Sequence, residues 1–378
     1  MSLWLTRLHR WIGLALAVPV AAIAATGTAL IFHDSIILAR LGPLPGPTAA
    51  AGIVEPARDL SSIERLAGPD GWRTIELPGP DLPLYRVWLR SGEHAYLVPG
   101  ADGFIDRFFP GTRIESLLFE IHTNLLAGPL GEWLVGAIAI LLVALLPVGL
   151  AAWWPARRTL RPRHFIPRSM TPRQLLGGHS AWGAVAVVFV MVSVTTGVML
   201  VYPQATLTFL SWVLPDDARP SSPPARPVTR APIDWAAVMA GAERVFEDDR
   251  LVFVSAPRAD RPYLSIRTRR SAEWHPNGRS ELGIDPGSGA VVAVYDATRA
   301  SRAERLFHKI YPIHVARGTA APLRPLTIAI GLVLAALALT GATAWLGRRR
   351  VRRAQVDRVS PDWSIASPAT SESRNPPK

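Results

Sequence analysis

The stretch Leu8-His9-Arg10-Trp11-Ile12-Gly13 opens a long apolar run that later contains Thr26-Gly27. Its histidine comes four residues before the first glycine and eighteen residues before the second. The second half of the chain has the same pattern, because His179 precedes Gly183 and Gly197 at the same two offsets, and a threonine again comes before the later glycine. A histidine at the edge of an apolar helix, repeated in one register, predicts that the two positions share a role.

The composition of the chain indicates a membrane protein. It has 378 residues, of which 49% are hydrophobic, and a formal net charge of +12, with a mean hydropathy of +0.20. A basic protein with positive hydropathy is typical of the bilayer rather than of nucleic-acid binding. Four runs without charged residues, each of about the twenty residues that a membrane-spanning helix needs, cover 11–32, 133–154, 180–203 and 326–346.

The first run raises one alternative, a cleaved signal peptide, because basic residues precede it and small residues lie within it. It is longer than the usual apolar core of a signal peptide, and it resembles the third run. We therefore predict an α-helical membrane protein with four transmembrane helices, the first of them retained.

The charges of the connecting segments predict the orientation. The N-terminus and residues 155–178 carry arginines without acidic residues, and a run of arginines follows the fourth span. Residues 33–132 and 204–325 each contain 13 acidic residues. Because positively charged loops stay in the cytoplasm, both termini are expected inside and the two long segments outside. The basic surfaces are explained by topology and by attraction to anionic lipid, so no nucleic-acid partner is expected.

Each outer segment is predicted to be a small α+β unit. A helix over 55–67 precedes strands over 72–77, 84–89, 94–98 and 104–108, and a helix over 234–246 precedes strands over 251–255, 263–268, 281–284 and 291–295. Linkers rich in proline come before these helices, over 43–52 and 215–232, and amphipathic helices over 113–125 and 302–313 lead back to the membrane. The chain is therefore predicted to be a duplicated two-plus-two arrangement of transmembrane helices with two small outer domains.

The predicted segments are a cytoplasmic N-terminus (1–10), transmembrane helices over 11–33, 129–154, 179–203 and 323–347, outer α+β domains over 34–126 and 204–321, a basic cytoplasmic loop (155–178), and a basic, disordered cytoplasmic tail (348–378).

The chain has nine histidines and no cysteine, which leaves histidine as its only strong ligand for a transition metal. His9 and His179 hold equivalent places at the cytoplasmic ends of spans one and three. His122 and His314 hold equivalent places at the outer ends of spans two and four. A two-fold axis along the membrane normal would bring each pair face to face, as bis-histidine ligation of haem b requires. The sequence thus predicts two haem irons, each bound by one histidine pair.

Two glycines complete the predicted cofactor sites. Gly13 and Gly183 each come four residues after a predicted ligand, on the same helical face, and would leave room for a flat macrocycle. His33 and His308 have no counterpart in the other half of the chain. Three roles are open to both, namely an alternative ligand, a substrate-side contact or an interfacial residue, and for His33 we favour the last. Arginines near the two faces are candidates for the haem propionates: Arg10 and Arg173 inside, Arg113 and Arg317 outside.

Other chemistries fit these residues less well. A zinc site usually needs four closely spaced ligands, and a proton relay needs carboxylates within the spans. A permease would be expected to show charged or interrupted helices. The sequence shows none of these patterns. Two hypotheses remain: a haem protein that carries electrons across the membrane, and a non-redox membrane protein whose outer domains bind or regulate a partner protein.

Several stretches resemble the PepSY-associated transmembrane family. They are Leu8-His9-Arg10-Trp11-Ile12-Gly13, Thr26-Gly27-Thr28-Ala29-Leu30-Ile31-Phe32-His33-Asp34, Trp153-Trp154-Pro155, Pro312-Ile313-His314, and Thr340-Gly341 followed by Trp345 and arginines. The outer segments resemble PepSY units, with Ile284-Asp285-Pro286-Gly287-Ser288-Gly289 as the strand and turn. The third span departs from the family pattern, since it begins Gly178-His179-Ser180 rather than Leu-His-Arg.

The resemblance has implications for location and activity. It implies a multi-pass protein of the bacterial inner membrane with periplasmic outer domains. Some members of the family are di-haem ferric-siderophore reductases, which implies an oxidoreductase with the same four histidine ligands. It further implies two b-type haems, a ferric siderophore as the periplasmic acceptor, and an electron donor in the cytoplasm.

Overall fold

The computed structural model describes residues 2–44, 55–68, 71–166, 168–215, 232–245 and 249–359. The two predicted linkers and the last part of the predicted tail, from residue 360 onward, lie largely outside these ranges.

Four helices are long and apolar enough to cross a membrane. They are α1 (Ser2–Leu30), α5 (Gly128–Trp153), α6 (Pro172–Val201) and α10 (Arg324–Val359). Helices α1 and α6 each pack against both α5 and α10, which closes a ring of four. The four predicted spans are therefore confirmed. Helix α10 continues to Val359, so the segment predicted to be disordered from residue 348 begins as helix.

Two short helices were not predicted from the sequence. Helix α2 (His33–Leu41) follows α1 almost directly, and α7 (Pro203–Val213) follows α6. Helix α2 carries Asp34 in its first turn and Arg40 in its last, charges that favour a helix through its dipole. A proline at the first position of α7 suits a helix start, because its missing N–H would have no partner there. In the sequence, both segments look like the ends of the preceding transmembrane helices rather than like separate helices.

The outer segments supply the remaining helices and all eight strands. They are α3 (Pro56–Ala67), β1 (Trp72–Glu76), β2 (Tyr85–Leu89), β3 (His94–Leu97), β4 (Asp106–Phe108) and α4 (Ile114–Asn124), then α8 (Trp235–Glu243), β5 (Arg250–Ser255), β6 (Leu264–Arg269), β7 (Ser280–Ile284), β8 (Val291–Tyr295) and α9 (Arg302–Val315). Each segment thus has the predicted helix, four strands and amphipathic helix.

The two sets of strands form one antiparallel sheet rather than two separate sheets. Its order is β4-β3-β2-β1-β5-β6-β7-β8, and β1 joins β5 with Thr74 opposite Ser255. This pairing covers two strand edges that would otherwise expose unpaired N–H and C=O groups. One face of the sheet forms a core with α3 and α8, centred on residues such as Ile75 and Val254. The other face meets α4, where the Tyr96 hydroxyl donates to Glu115 at 3.4 Å.

Both amphipathic helices end within two residues of a histidine that the sequence singled out. Helix α4 contains His122 and is followed by Leu125 at φ 51°, and α9 contains His314 and is followed by Ala316 at φ 51°. Within the described ranges, Leu125, Leu126 and Ala316 are the non-glycine residues with positive φ. Such conformations are strained for residues with a Cβ atom and concentrate at functional sites.

Candidate functional site

The structure brings the four predicted ligands together in two pairs. The imidazole rings of His9 in α1 and His179 in α6 have their centres 6.1 Å apart at an interplanar angle of 70°. The rings of His122 in α4 and His314 in α9 have their centres 6.3 Å apart at 42°. All four side chains are half-buried. Each pair joins the first half of the chain to the second.

The separation of the rings fits two imidazoles that share one metal ion. Two bonds of about 2 Å from metal to nitrogen, and two half-widths of an imidazole ring of about 1.1 Å, place the ring centres about 6 Å apart. Among the described residues there is no group of three or more His, Asp or Glu side chains with the geometry of a metal site. A pair supplies two protein ligands, which is the number that a haem iron takes in bis-histidine ligation.

Each imidazole in the first half of the chain lies against a glycine of the neighbouring spanning helix. A Cβ atom added to Gly149 in α5 would lie 2.6 Å from Cε1 of His9, and one added to Gly27 in α1 would lie 2.5 Å from Cε1 of His122. The contacts are therefore reciprocal, because each of the two chain segments provides one histidine and one glycine. Any side chain at Gly27 or Gly149 would displace an imidazole.

The second half has the same reciprocal contacts with more space. An added Cβ would lie 3.2 Å from Cε1 of His314 at Gly197 in α6, and 3.3 Å from Cε1 of His179 at Gly341 in α10. These distances are tight, but a shift of a few tenths of an ångström would relieve them. The two halves thus have the same arrangement and differ in the distance between the glycine and the imidazole.

The missing Cβ atoms also open backbone carbonyl groups to the imidazoles. Three rings form hydrogen bonds through Nδ1: His122 to Ile23 O (2.8 Å), His179 to Leu337 O (3.0 Å) and His314 to Ser193 O (3.1 Å). In each case the acceptor comes four residues before the glycine, where a side chain on the glycine would cover it. A carbonyl oxygen can only accept, so Nδ1 carries the proton and Nε2 keeps its lone pair for a metal.

Two histidines differ from this pattern: Nδ1 of His9 has fewer hydrogen-bond partners, and Nδ1 of His314 has more. Leu145, four residues before Gly149, provides the backbone group that interacts with His9, but Nδ1 of His9 lacks a partner with hydrogen-bond geometry. His314 has an additional partner, since its Nδ1 is also 3.0 Å from the hydroxyl of Thr196. That hydroxyl donates to backbone carbonyls of its own helix, so its oxygen accepts from the imidazole.

Gly13 and Gly183, which are predicted to leave room for the macrocycle, do not contact the imidazoles. Added Cβ atoms at Gly13 and Gly183 would meet Leu145 and Leu337 side chains at an ordinary 3.8 Å, and neither glycine has a histidine among its nearest atoms. The glycines that do face the imidazoles were visible in the sequence, because they recur at fixed offsets from the histidines. The offsets do not show which glycine contacts which histidine. Each histidine packs against a glycine of the other membrane segment in the same half of the chain.

The unpaired histidines are placed apart from the two pairs. His33 bonds to Asp34 at 2.9 Å through Nδ1. His308 lies near Phe307, with ring centres 6.4 Å apart, and interacts electrostatically with Arg279 and Glu304. Neither ring contacts an imidazole of a pair, so the structure gives no support to His308 as an alternative ligand.

A cluster of charged residues ties the outer pair to the sheet. The carboxylate of Asp34 in α2 accepts from Arg317, which follows the His314 helix, at 2.5 Å, and Arg86 of β2 lies 3.8 Å away. Burial alone would raise the pKa of Asp34, but the hydrogen bond from His33 and the charges of Arg317 and Arg86 together lower it below its ordinary value. Arg317 is thus engaged by a carboxylate, as is Arg113 by Asp106 at 2.8 Å.

Comparison with known proteins identifies the family. No curated protein matches the chain significantly. The model of the PepSY-associated TM region matches residues 6–348, which include all four spans and the whole of the sheet. The protein is therefore a multi-pass membrane protein, and it belongs to the family of proteins with a PepSY-associated transmembrane region.

Proposed function

We propose that this protein is a di-haem membrane oxidoreductase that moves electrons from the cytoplasm across the bacterial inner membrane. Its acceptor is ferric iron held by a siderophore in the periplasm. In this proposal the sheet lies in the periplasm, both termini lie in the cytoplasm, and the chain is a duplication in which each half supplies one histidine to each haem.

The two facing histidine pairs are the observation that carries this proposal. His9 and Gly27 lie eighteen residues apart on α1, which corresponds to about 27 Å along a helix. The glycine contacts His122, so the two pairs lie near opposite ends of the spans. That span of about 27 Å is close to the roughly 30 Å of a bilayer core. A redox group at each pair would thus serve one face of the membrane.

The residues around each pair prepare it for a metal cofactor. The Nδ1 hydrogen bonds hold the imidazoles in one tautomer and increase the electron density that Nε2 offers to iron. The glycines let the rings approach the neighbouring helices closely. The spans that separate the two sites are apolar. Haem b held by these histidines would supply a one-electron ferric–ferrous couple, and the histidines and their hydrogen bonds would tune its potential.

Transfer across a sealed bilayer tests the proposal. The protein is reconstituted into vesicles that contain ferric citrate and ferrozine, a colour reagent for ferrous iron, and dithionite is added outside. Wild type should colour the vesicle interior much faster than vesicles without protein. His9→Ala and His314→Ala should each abolish the gain, because each removes one ligand of one pair. His164→Ala, in the loop after α5, is the matched control and should transfer like wild type.

Two results would contradict the proposal. One is a wild type that contains haem but gives no transfer. The other is a set of histidine variants that all transfer as fast as wild type. A folded protein without haem would instead favour the non-redox hypothesis, in which the sheet binds a partner protein.

A further inference from the structure

The sheet has a groove across the seam where the two halves of the chain join. On the face opposite the α3–α8 core, Trp88, Thr74, Ser255 and Ser265 lie side by side on β2, β1, β5 and β6. The next row on this face contains Phe253 and Arg267. Thr74, Ser255 and Ser265 are small beside Trp88 and Phe253, so they leave a depression in this face of the sheet.

The groove has the size of a small-molecule site. Its volume is about 330 Å³, at the lower end of the range for ligand pockets. Its lining consists of Arg73, Thr74, Trp88, Phe253, Ser255, Arg258, Ser265 and Arg267. Three cationic, three hydroxyl and two aromatic side chains line it, and no carboxylate does.

The arginines of the groove are available to a ligand. Within the described ranges, Arg73, Arg258 and Arg267 form no ion pair with a carboxylate, although ion pairs are frequent elsewhere on the sheet. Glu281 lies directly opposite Arg267 in the register, yet it pairs with Arg261 at 3.1 Å. Three arginines that line one groove and form no ion pair there favour an anion, since guanidinium groups bind carboxylate, phosphate and phenolate oxygens strongly.

The aromatic side chains add a preference for flat groups. The rings of Trp88 and Phe253 have their centres 6.2 Å apart and are tilted by 47°. The guanidinium of Arg267 lies over the Phe253 ring at 5.5 Å. A planar ring of a ligand could stack on the same surfaces, which makes aromatic anions better ligands than compact ones.

The groove opens on the face of the sheet that carries the outer histidine pair. Arg86, in the adjacent row, reaches Asp34 of α2, and Tyr96 reaches Glu115 of α4. Helix α4 itself contains His122. A ligand in the groove would therefore lie on the side of the sheet that faces the outer pair rather than on the side covered by α3 and α8.

We infer that this groove binds anionic ligands that carry aromatic rings, of which catecholate chelates of ferric iron are the class that fits the charge and the stacking surfaces. The assignment of such a chelate as the electron acceptor rests on the proposed function, but its binding does not. The arginines neutralise the negative charge of the chelate, and Trp88 and Phe253 stack on its rings.

Calorimetric titration with a chelate that cannot be reduced tests the binding alone. The probe is the gallium(III) tris-catecholate complex, which is anionic and aromatic, and the neutral gallium(III) acetohydroxamate complex is the matched ligand. Wild type in neutral detergent should bind the catecholate complex at least tenfold more tightly than the hydroxamate complex. The double variant Arg73→Gln/Arg267→Gln should lose at least tenfold in affinity for the catecholate complex, and Arg299→Gln, outside the groove, should lose none.

A third titration distinguishes binding of the chelate from binding of lipid headgroups, which are also anionic. The titration is repeated in nanodiscs with phosphatidylglycerol. Unchanged affinity supports the inference, and complete competition by the lipid overturns it in favour of a headgroup site. Equal affinity of wild type and the double variant also overturns it. Chelate binding by a protein that lacks haem would support this inference while the proposed function fails. As a folding control, the haem spectrum of the double variant should match that of wild type.

Discussion

The inner and outer histidine pairs are built from the same parts but are supported differently. His9 and His179 both belong to spanning helices, α1 and α6, whose packing alone fixes them. His122 and His314 belong to short helices that end within a few residues, each in a left-handed conformation. The outer pair therefore depends on the sheet and on the charged cluster around Asp34, whereas the inner pair depends on the bundle. Changes in the outer part of the protein should affect one pair and spare the other.

The largest effect should come from adding one methyl group beside an imidazole. Gly27→Ala places a Cβ 2.5 Å from His122, so the ring must move, and the outer haem should be lost almost completely while the inner haem remains. Gly149→Ala should do the reverse through His9. Spectra of the purified variants, with haem counted per polypeptide, measure both effects.

The equivalent changes in the second half are the internal controls. Gly197→Ala and Gly341→Ala should keep most of the haem, because their contacts of 3.2 and 3.3 Å can relax. Gly13→Ala should leave the His9 ring in place, since the new methyl group meets only Leu145 at 3.8 Å, and any loss of haem in this variant would come from the space that Gly13 leaves for the macrocycle. Full retention of the outer haem in Gly27→Ala would contradict the close contact of Gly27 with His122.

The next effect concerns the charge that anchors the outer pair. Asp34→Asn removes one of the two carboxylates that pair with the half-buried guanidinium of Arg317 and leaves Asp81, at 3.1 Å, as the other. Removing one partner of a buried ion pair costs about 3–5 kcal/mol, and the remaining pair with Asp81 together with the partial exposure of Arg317 places this cost below that range. The midpoint of thermal unfolding should fall, and the outer haem should dissociate at a lower temperature than the inner haem. Equal loss of both haems would mean that the cluster does not serve the outer pair specifically.

Acid should act on the outer part of the protein as well. Burial, together with the positive charges of Arg279 and Arg267, lowers the pKa of His275 to about 2, and its ring stacks on Tyr311 of α9 at 4.7 Å. In the unfolded state the pKa of the histidine is near 6.5, so as the pH falls the unfolded state takes up a proton before the folded state does. The folded state therefore loses stability below about pH 6.5. The loss from this residue is about 2 kcal/mol at pH 5.

Unfolding midpoints of wild type and His275→Gln between pH 7.5 and pH 5 test this effect. The variant should be less stable than wild type at neutral pH and should lose less stability in acid. Parallel curves for the two proteins would rule out His275 as a source of the pH dependence.

The smallest effect is expected from the extra hydrogen bond of the outer pair. Thr196→Val removes the hydroxyl that accepts from Nδ1 of His314 while the backbone carbonyl of Ser193 remains. A change of about 1 kcal/mol in a hydrogen bond corresponds to about 40 mV for a one-electron couple. Potentiometric titration should show this shift for the outer haem alone, and a shift of both haems, or of neither, would contradict the contact.

The helices and strands were easier to predict from the sequence than the contacts between them. The spans were predictable because twenty apolar residues without charge have few alternatives in a folded protein. The strands were predictable from alternation and turns, and each lies within two residues of its observed position. The pairing of His122 with His314 followed from equivalent positions in two similar halves.

What the sequence could not give depends on contacts between distant segments. The joining of β1 to β5 is a long-range pairing that no local pattern encodes. The contacts of His9 with Gly149 and of His179 with Gly341 join distant segments, so no local pattern shows them. Room for the macrocycle at Gly13 and Gly183 remains a prediction. The short helix α2 was missed because its few polar residues looked like the end of a span.

The haem content of single and double ligand variants tests the central claim most directly. Wild type, His179→Ala, His122→Ala and the double variant are purified in mild detergent, and haem is counted per polypeptide from reduced and oxidised spectra. We predict two haems in wild type, one in each single variant with a different band retained, and none in the double variant. A folded wild type that contains no haem and does not bind added haem would contradict the account.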